Sequence, residues 1–300
     1  MKRLSADGFR SARDHLRTRA RPLERALFAH EFEGAPRESV LAELAAYRNP
    51  DGGFGRALEP DLRLPSSSAL ATLTGLDLLR DLGVGGSEPL VRGALAWLVE
   101  RFDPDLPGWR CVPPEVDAFP HAPHWSWALH APGGPWDPLV IPGARLSSHF
   151  SHWREAAPAS IAERLTGAFV RHVTQLTREI GPDGLVYAAS VENDAVRARM
   201  RELARANVSR DPSTWTSYCA KPLKLAPTPD SPLAECLVSE VALNLDWEID
   251  QQAADGSWQP NWTWQGLYPE VWPVARREWQ GELTLRTLRS LRAWGRLAGA

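Results

Sequence analysis

The sequence predicts an all-α fold, a single domain of about ten to twelve helices arranged as an outer and an inner ring. Along the chain, helical segments of mixed polarity alternate with more apolar ones, and glycine-rich turns separate them. No segment shows the sustained two-residue alternation of a half-buried β-strand. The chain has 300 residues, 43% of them hydrophobic, and no Ser/Gly-rich linker or charge block divides it. We therefore expect one domain over residues 1–300.

The clearest unit spans residues 47–82. A helix predicted over residues 37–47 leads into the turn NPDGGFG at residues 49–55, and an acidic loop carries the chain to an apolar helix at residues 66–82. Pro65 ends the preceding segment, three serines supply N-capping oxygens, and leucines then recur at helical spacing. The pattern predicts an outer helix, a tight turn and an inner helix.

The same pattern returns near the C-terminus. The segment EIDQQAADGSW at residues 248–258 precedes an apolar helix predicted over residues 282–297, in which Thr284 occupies the position of Thr72. Two distant copies of one unit indicate an internal repeat. Because a bulky aromatic follows the Asp-Gly pair in both turns, we expect both rings to be buried in equivalent positions. These aromatics are Phe54 and Trp258. Weaker copies of the turn are predicted at residues 103–109 and 183–187.

The remaining helical segments are predicted from apolar residues spaced three and four apart. Ser87 is expected to cap one of them, and Ser231, followed by Pro232, to cap another. These helices are predicted at residues 5–19, 22–32, 89–102, 146–154, 160–180, 191–206 and 232–250. Residues 113–142 are too rich in Pro, Trp and His for regular structure, and we expect this long loop to pack over the mouth of a cavity.

Composition narrows the function classes. The formal net charge is −3, so no excess of positive charge draws the chain to nucleic acid or anionic lipid. Neither an apolar leader nor a run of about 18 apolar residues occurs, so we expect a cytoplasmic protein without a transmembrane segment. Three distant cysteines do not make a disulfide framework. The preference for Arg over Lys is typical of a GC-rich bacterial genome.

The turn motifs carry a resemblance to a known superfamily. A helix followed by DGGFG or QQAADGSW and then by a Leu-rich helix resembles the repeat of the terpenoid cyclases and protein prenyltransferases, and residues 248–258 resemble the Gln-Trp repeat of triterpene (squalene-type) cyclases. The resemblance implies an α/α toroid, a double ring of helices. In that superfamily the motif glycines permit positive φ and the aromatic stacks on neighbouring structure, so the motif implies an architecture and not a reaction.

The catalytic motifs of that superfamily are missing from the sequence. It has neither the D-x-D-D acid motif of triterpene cyclases nor the D-D-x-x-D motif that binds metal and diphosphate. Neither Cys219 nor Cys236 has the nearby aspartate of the prenyltransferase zinc site, and the Cys-His-Gly zinc motif of lanthipeptide cyclases is absent. We therefore expect no cofactor and no metal, and no catalytic role is carried over from the family.

Two carboxylates are the first candidates for catalysis. Glu59 and Asp61 lie in the Pro-stiffened loop that leads to the predicted inner helix, and alternation in an extended segment would aim both the same way. In such a pair one pKa can be raised, and that group can serve as a general acid. The alternative is structural: a surface salt bridge to Arg56 or Arg63, or the capping of a helix.

Two histidines of the loop at residues 113–142 are the second candidates. His121 and His124 lie among aromatic residues, where a neutral imidazole can act as a base or a proton shuttle. No third ligand follows at a metal-binding spacing. We expect these histidines and the two carboxylates to converge on one pocket, at the end of the toroid where the inner helices begin. Two other histidines are expected to pack within a helix; they are His149 and His152.

Tryptophans are the candidate substrate-binding residues, because their rings stabilise cations and stack on sugars. Core and loop packing explains the 14 tryptophans equally well. The four candidates are Trp125, Trp127, Trp262 and Trp264.

Three functions remain open from the sequence. The first is a cyclase or isomerase, an enzyme that applies acid–base chemistry to an apolar, isoprenoid-like small molecule in a central cavity. The second is a carbohydrate-processing α/α barrel, a lyase, hydrolase or epimerase. The third is a non-catalytic helical scaffold that binds a ligand or a protein. Fold alone does not choose among them, and the oligomeric state is left open.

Overall fold

The structure is a computed structural model that describes residues 1–106, 108–175 and 180–298. Within these ranges the regular structure is helical apart from isolated β-bridges, which confirms the all-α prediction. The described residues form thirteen α-helices, two of which are single turns of four residues. The helices are α1 (Ala6–Arg19), α2 (Pro22–Glu33), α3 (Arg37–Ala45), α4 (Ala69–Asp81), α5 (Pro89–Glu100), α6 (Trp127–His130), α7 (Arg145–His152), α8 (Ala159–Gln175), α9 (Pro182–Ala189), α10 (Asp194–Asn207), α11 (Pro222–Leu225), α12 (Val238–Asp250) and α13 (Trp272–Ala293).

The chain divides into two compact units. Unit 1 comprises Met1–Glu43, Arg201–Thr263 and Pro269–Ala300, and unit 2 comprises Leu44–Met200 and Trp264–Tyr268. Each unit contains one of the two strong copies of the glycine turn. A single domain over the whole chain stays a prediction.

In unit 2, the turn before α4 has the predicted form. Gly52 adopts a φ of 96°, a left-handed conformation that favours glycine, and Asn49 N donates to Gly53 O at 2.9 Å. The ring of Phe54 is fully buried, and its backbone N–H donates to Thr72 Oγ1 at 3.1 Å. Ser68 caps α4 by accepting a hydrogen bond from the third residue of the helix. The turn is therefore fixed to the helix that follows it through a buried hydroxyl.

In unit 1, the turn before α13 repeats this geometry. Gly256 adopts a φ of 84°, and Ala253 N donates to Ser257 O at 2.9 Å. The Trp258 side chain is only 3% exposed, and the backbone N–H of Trp258 donates to Thr284 Oγ1 at 3.1 Å. The equivalent burial of the two aromatics and the correspondence of the two threonines are thus confirmed.

A third helix completes the repeat in unit 2. The Cβ of an alanine at Gly52 would lie 2.7 Å from Gly93 O of α5, so the turn packs directly on that helix. Trp97 of α5 and Arg101, the residue that follows α5, bind the turn aspartate: Trp97 Nε1 donates to Asp51 Oδ2 at 2.8 Å, and Arg101 Nη2 lies 3.7 Å from the same oxygen. Gly93, Trp97 and Arg101 follow one another at intervals of four residues, the spacing of one helix face.

In unit 1, α1 takes the place of α5. A Cβ at Gly256 would lie 2.3 Å from the backbone of Ser11, and Asp255 Oδ2 lies 3.4 Å from His15 Nδ1 and 3.2 Å from Arg19 Nη1. The spacing along the helix is the same four residues. The C-terminal copy therefore receives its third helix from the N-terminus of the chain, and Leu4 forms a parallel bridge with Leu297 where the two ends meet.

Several predicted boundaries are wrong. The last helix begins at Trp272, ten residues before the predicted start at residue 282, with Pro273 in its first turn. The helix predicted from residue 232 begins at Val238, because Ser231 does not cap it: Ser231 Oγ accepts from Thr228 N and closes a local turn. Ser87 is likewise not a cap, since the Glu88 carboxylate accepts from the first turn of α5.

The weak copies of the turn have different outcomes. Residues 183–187 form no turn, because Pro182 occupies the first position of a helix and the segment continues as α9. In the segment at residues 103–109, Pro107 lies outside the described residues, but Trp109 is buried and its Nε1 donates to Leu98 O. Of the helix predicted at residues 160–180, α8 covers the first part, and residues 176–179 lie outside the described residues.

Candidate active site

The loop that carries the two candidate carboxylates is folded into tight turns. Arg56 and Ala57 both have positive φ. Two backbone hydrogen bonds between residues three apart close successive turns: Leu58 N donates to Gly55 O and Leu62 N donates to Glu59 O, each at 3.0 Å. The expectation that an extended segment aims both carboxylates the same way is therefore wrong. The Asp61 side chain is buried, whereas Glu59 is half-buried.

Backbone pairing brings the histidine loop to this turn. Ala122 N donates to Asp61 O at 2.8 Å, Arg63 N donates to Pro120 O at 2.9 Å, and Leu62 forms an antiparallel bridge with His121. The segment around residue 121 is therefore fixed beside residues 61–63 by main-chain hydrogen bonds. Pairing of this kind is independent of side-chain identity, which explains why the sequence does not reveal it.

The structure places Asp61 next to one of the two candidate histidines. Asp61 is only 2% exposed, and its Oδ1 accepts a hydrogen bond of 2.6 Å from the indole Nε1 of Trp264. Its other oxygen lies 4.0 Å from His124 Nε2, and 45% of the His124 side chain is exposed. A buried carboxylate thus lies behind a solvent-accessible imidazole.

His121 and Glu59 make different contacts. His121 is 5% exposed, its Nδ1 lies 2.7 Å from Phe119 O, and its Nε2 lies 3.6 Å from Asp117 Oδ1. These contacts brace the loop that carries it. Glu59 acts electrostatically on Tyr187 of α9: burial raises the pKa of that phenol well above its ordinary value, and the Glu59 charge adds to the rise.

The four candidate tryptophans do not share one environment. Trp125 is buried and packs edge-on against His124 with ring centres 4.8 Å apart, and Trp264 binds Asp61. Trp127 is half-buried at the start of α6, where its backbone N–H donates to Asp117. Trp262 belongs to unit 1 and packs edge-on against Trp279. The first two therefore contact the candidate acid–base pair directly.

A second polar cluster in unit 2 was missed by the sequence analysis. Asp77 of α4 accepts two hydrogen bonds at one oxygen, from Arg145 Nε at 2.6 Å and from His149 Nε2 at 2.8 Å. His149 does stack on Trp153, the residue that follows its helix, but its ring nitrogen Nε2 also binds a carboxylate. The available signal was an aspartate in the middle of the otherwise apolar segment LTGLDLL.

Burial and charge set the protonation of this cluster. Burial raises the pKa of Asp77, but the charge of Arg145 and the hydrogen bond from His149 lower it more, so the carboxylate is ionised. Burial lowers the pKa of His149 more than Asp77 raises it, so the imidazole is neutral and donates from Nε2. Burial opposes the charge on Arg145, yet the neighbouring Asp77 raises its pKa above the ordinary value.

The described residues contain no group of three or more His, Cys, Asp or Glu side chains arranged to hold a metal ion. No helix among them combines the length and hydropathy that crossing a bilayer requires. The chain matches no protein-family model and no curated protein sequence.

Proposed function

We propose that this chain is an α/α toroid of the terpenoid-cyclase type and that it is an enzyme, a cyclase or isomerase that transfers a proton to or from an apolar, isoprenoid-like substrate. The architecture is supported by the two equivalent turns, Phe54 with Thr72 and Trp258 with Thr284. It is supported further by the third helix of each copy, because α1 contacts the C-terminal turn at the same four-residue spacing with which α5 and Arg101 contact the N-terminal one.

The observation that carries the reaction type is the Asp61–His124 pair. The carboxylate is buried and held at one oxygen by Trp264, and the imidazole in front of its other oxygen is open to solvent. His124 is the group that exchanges the proton. Asp61 positions the ring, and Trp264 fixes the orientation of the carboxylate. This division of labour is that of a general acid or base with an orienting partner.

The aromatic surroundings support an apolar substrate. Trp125 lies against His124, and the indole of Trp264 is fully buried beside Asp61. A proton added to an olefin leaves a carbocation, and a tryptophan ring stabilises a cation near its face. Glu59 and His121 stay predicted members of the site, and no role in the proton transfer is assigned to them here.

The test is turnover of isoprenoid probes. Purified protein is incubated with farnesol, farnesyl diphosphate and squalene, and products are identified by gas chromatography and mass spectrometry. We expect wild-type protein to form an isomerised or cyclised product, and Asp61→Asn and His124→Gln to lose about 100-fold or more of that activity. Asparagine keeps an oxygen that accepts from Trp264, so the first variant isolates the charge.

A matched control is present in the same unit. His172 and Asp137 form another His–carboxylate pair at 2.6 Å, outside the proposed site. His172→Gln is expected to keep wild-type activity. Absence of any product from the three probes, or equal turnover by His124→Gln, would contradict the proposal. Turnover of an oligosaccharide panel in their place would favour the carbohydrate-processing function.

A further inference from the structure

A short segment late in the chain is inserted into unit 2. Trp264–Tyr268 belongs to that unit, although the residues on both sides of it belong to unit 1. Leu267 N donates to Trp264 O at 2.9 Å and closes a turn within the segment. Both ends contact the candidate site: Trp264 binds Asp61, and the ring centres of Tyr268 and His121 lie 5.9 Å apart. The segment therefore contacts both loops that carry the candidate acid–base residues.

The backbone of this segment is strained. Gln265, Gly266 and Tyr268 have φ values of 53°, 84° and 46°. Positive φ suits glycine but is unfavourable for residues with a Cβ atom, above all for bulky ones such as tyrosine. The other described non-glycine residues with positive φ are Arg56 and Ala57, in the loop that carries the candidate carboxylate. Backbone strain of this kind concentrates at functional sites, and here it lies in the two loops that meet at that carboxylate.

Tyr268 carries a hydroxyl that the protein does not use. Its half-buried ring packs edge-on against Trp264, with ring centres 6.2 Å apart, and also lies against His121. Within the described residues the Tyr268 hydroxyl makes no hydrogen bond, and its oxygen is not one of the sealed polar atoms of the interior. Two aromatic contacts thus hold the ring, while the hydroxyl is open to a partner from outside the protein.

A phenol hydroxyl at this place distinguishes two kinds of isoprenoid ligand. The hydroxyl of an isoprenoid alcohol can accept a hydrogen bond from the phenol or donate one to it. A hydrocarbon that covers the phenol displaces its water and leaves the hydroxyl without a partner, which is unfavourable. A site that hydrogen-bonds a substrate hydroxyl therefore rejects the analogue that lacks it.

We propose that the segment Trp264–Tyr268 is a substrate-binding element and that Tyr268 selects isoprenoid alcohols over isoprenoid hydrocarbons. The Tyr268 hydroxyl binds the hydroxyl of the ligand, and Trp264 keeps the segment at the site through its hydrogen bond to Asp61. This inference rests on the proposed function, because it concerns the ligand of the Asp61–His124 site. It concerns binding alone, so a protein that binds isoprenoid alcohols without converting them would refute the proposed reaction and leave the role of Tyr268 standing.

Equilibrium binding of two matched probes tests the proposal. Geraniol and myrcene have the same number of carbon atoms, and only geraniol carries a hydroxyl. Labelling with ¹³C-tyrosine gives ring signals for the four tyrosines of the chain, and the Tyr268 signal is assigned by its absence from Tyr268→Phe. Affinities for both probes are measured by titration of the labelled protein. We expect geraniol to shift the Tyr268 signal saturably and to bind about fivefold more tightly than myrcene.

A conservative variant then isolates the hydroxyl. Tyr268→Phe keeps the ring and its contacts with His121 and Trp264, so we expect geraniol binding to weaken about fivefold and myrcene binding not to weaken. Binding by this variant is followed through the signals of the remaining tyrosines and through calorimetry. Tyr218→Phe, at an exposed tyrosine of unit 1, is the matched control and leaves the affinity for both probes unchanged. The proposal is overturned by the absence of a saturable Tyr268 shift with geraniol, by wild-type geraniol affinity in Tyr268→Phe, or by an equal loss of affinity for both probes.

Discussion

Replacement of the two turn-binding threonines by valine tests the internal repeat. Thr72 and Thr284 are fully buried, and each accepts the N–H of the turn aromatic at 3.1 Å. Valine has nearly the same shape but no acceptor, so each substitution leaves one buried backbone N–H without a partner. That loss costs about 1–3 kcal/mol of the free energy of unfolding. Because the geometry is the same in both copies, we expect the two penalties to agree within about 0.5 kcal/mol.

The neighbouring helix surface offers a matched control. Thr74 of α4 is half-buried, and its hydroxyl only donates to the carbonyl of Leu70 within the helix. Thr74→Val leaves no N–H unpaired, so we expect a change within about 0.5 kcal/mol. Free energies are measured by urea denaturation followed by circular dichroism. Amide hydrogen exchange at Phe54 and Trp258 reports directly on the hydrogen bond that was removed.

A result that refutes this reasoning is easy to recognise. If Thr72→Val and Thr284→Val are as mild as Thr74→Val, the buried hydroxyls do not hold the turns. If only one of the two is costly, the turns are not energetically equivalent, and the repeat does not extend from their geometry to their stability.

Three further outcomes follow from the same structure. Trp258→Ala is expected to lower the free energy of unfolding by about 3–5 kcal/mol in urea denaturation, because it empties a fully packed site; a loss below about 1 kcal/mol would contradict this. Gly256→Ala places a Cβ 2.3 Å from the backbone of Ser11 at positive φ, whereas Gly34→Ala, also at positive φ, has no atom within 4 Å, so thermal unfolding should show a large loss only for the former. Burial lowers the pKa of His149 from 6.5, so the unfolded chain binds more protons just below that pH, and the free energy of unfolding falls as pH drops from about 6.5. His149→Gln should flatten that part of the stability profile measured from pH 8 to pH 5, and an unchanged profile would refute this assignment.

The features that the sequence predicted well are those with a local cause. The turn at Gly52 needs positive φ, the ring of Phe54 needs burial, and the leucines of α4 recur at helical spacing, all within a short stretch of chain. Where a boundary depends on competing local hydrogen bonds, as at Ser231, or where polar residues interrupt the apolar pattern after the first turn, as at residues 276–278 of α13, periodicity predicted the wrong limit. At residues 183–187 the sequence predicted a turn, but Pro182 occupies the first helical position and the segment forms a helix.

The candidate site depends on long-range contacts that a single sequence does not contain. Asp61 and Trp264 are 203 residues apart in the chain, and their hydrogen bond orients the carboxylate. Asp77 and His149 are 72 residues apart. Asp61 and His124 were both predicted from the sequence as candidate site residues. Their proximity, however, depends on the main-chain pairing of the two loops that carry them. No periodic pattern records such pairing.

Solvent deuterium incorporation tests the proposed proton transfer most directly. The reaction with the isoprenoid probe is run in D₂O, and the product is analysed by mass spectrometry for deuterium bound to carbon. If His124 exchanges the proton with Asp61 behind it, the product carries deuterium and its rate of formation falls about 100-fold in His124→Gln but not in His172→Gln. A product free of carbon-bound deuterium, or one formed equally fast by His124→Gln, would contradict the account.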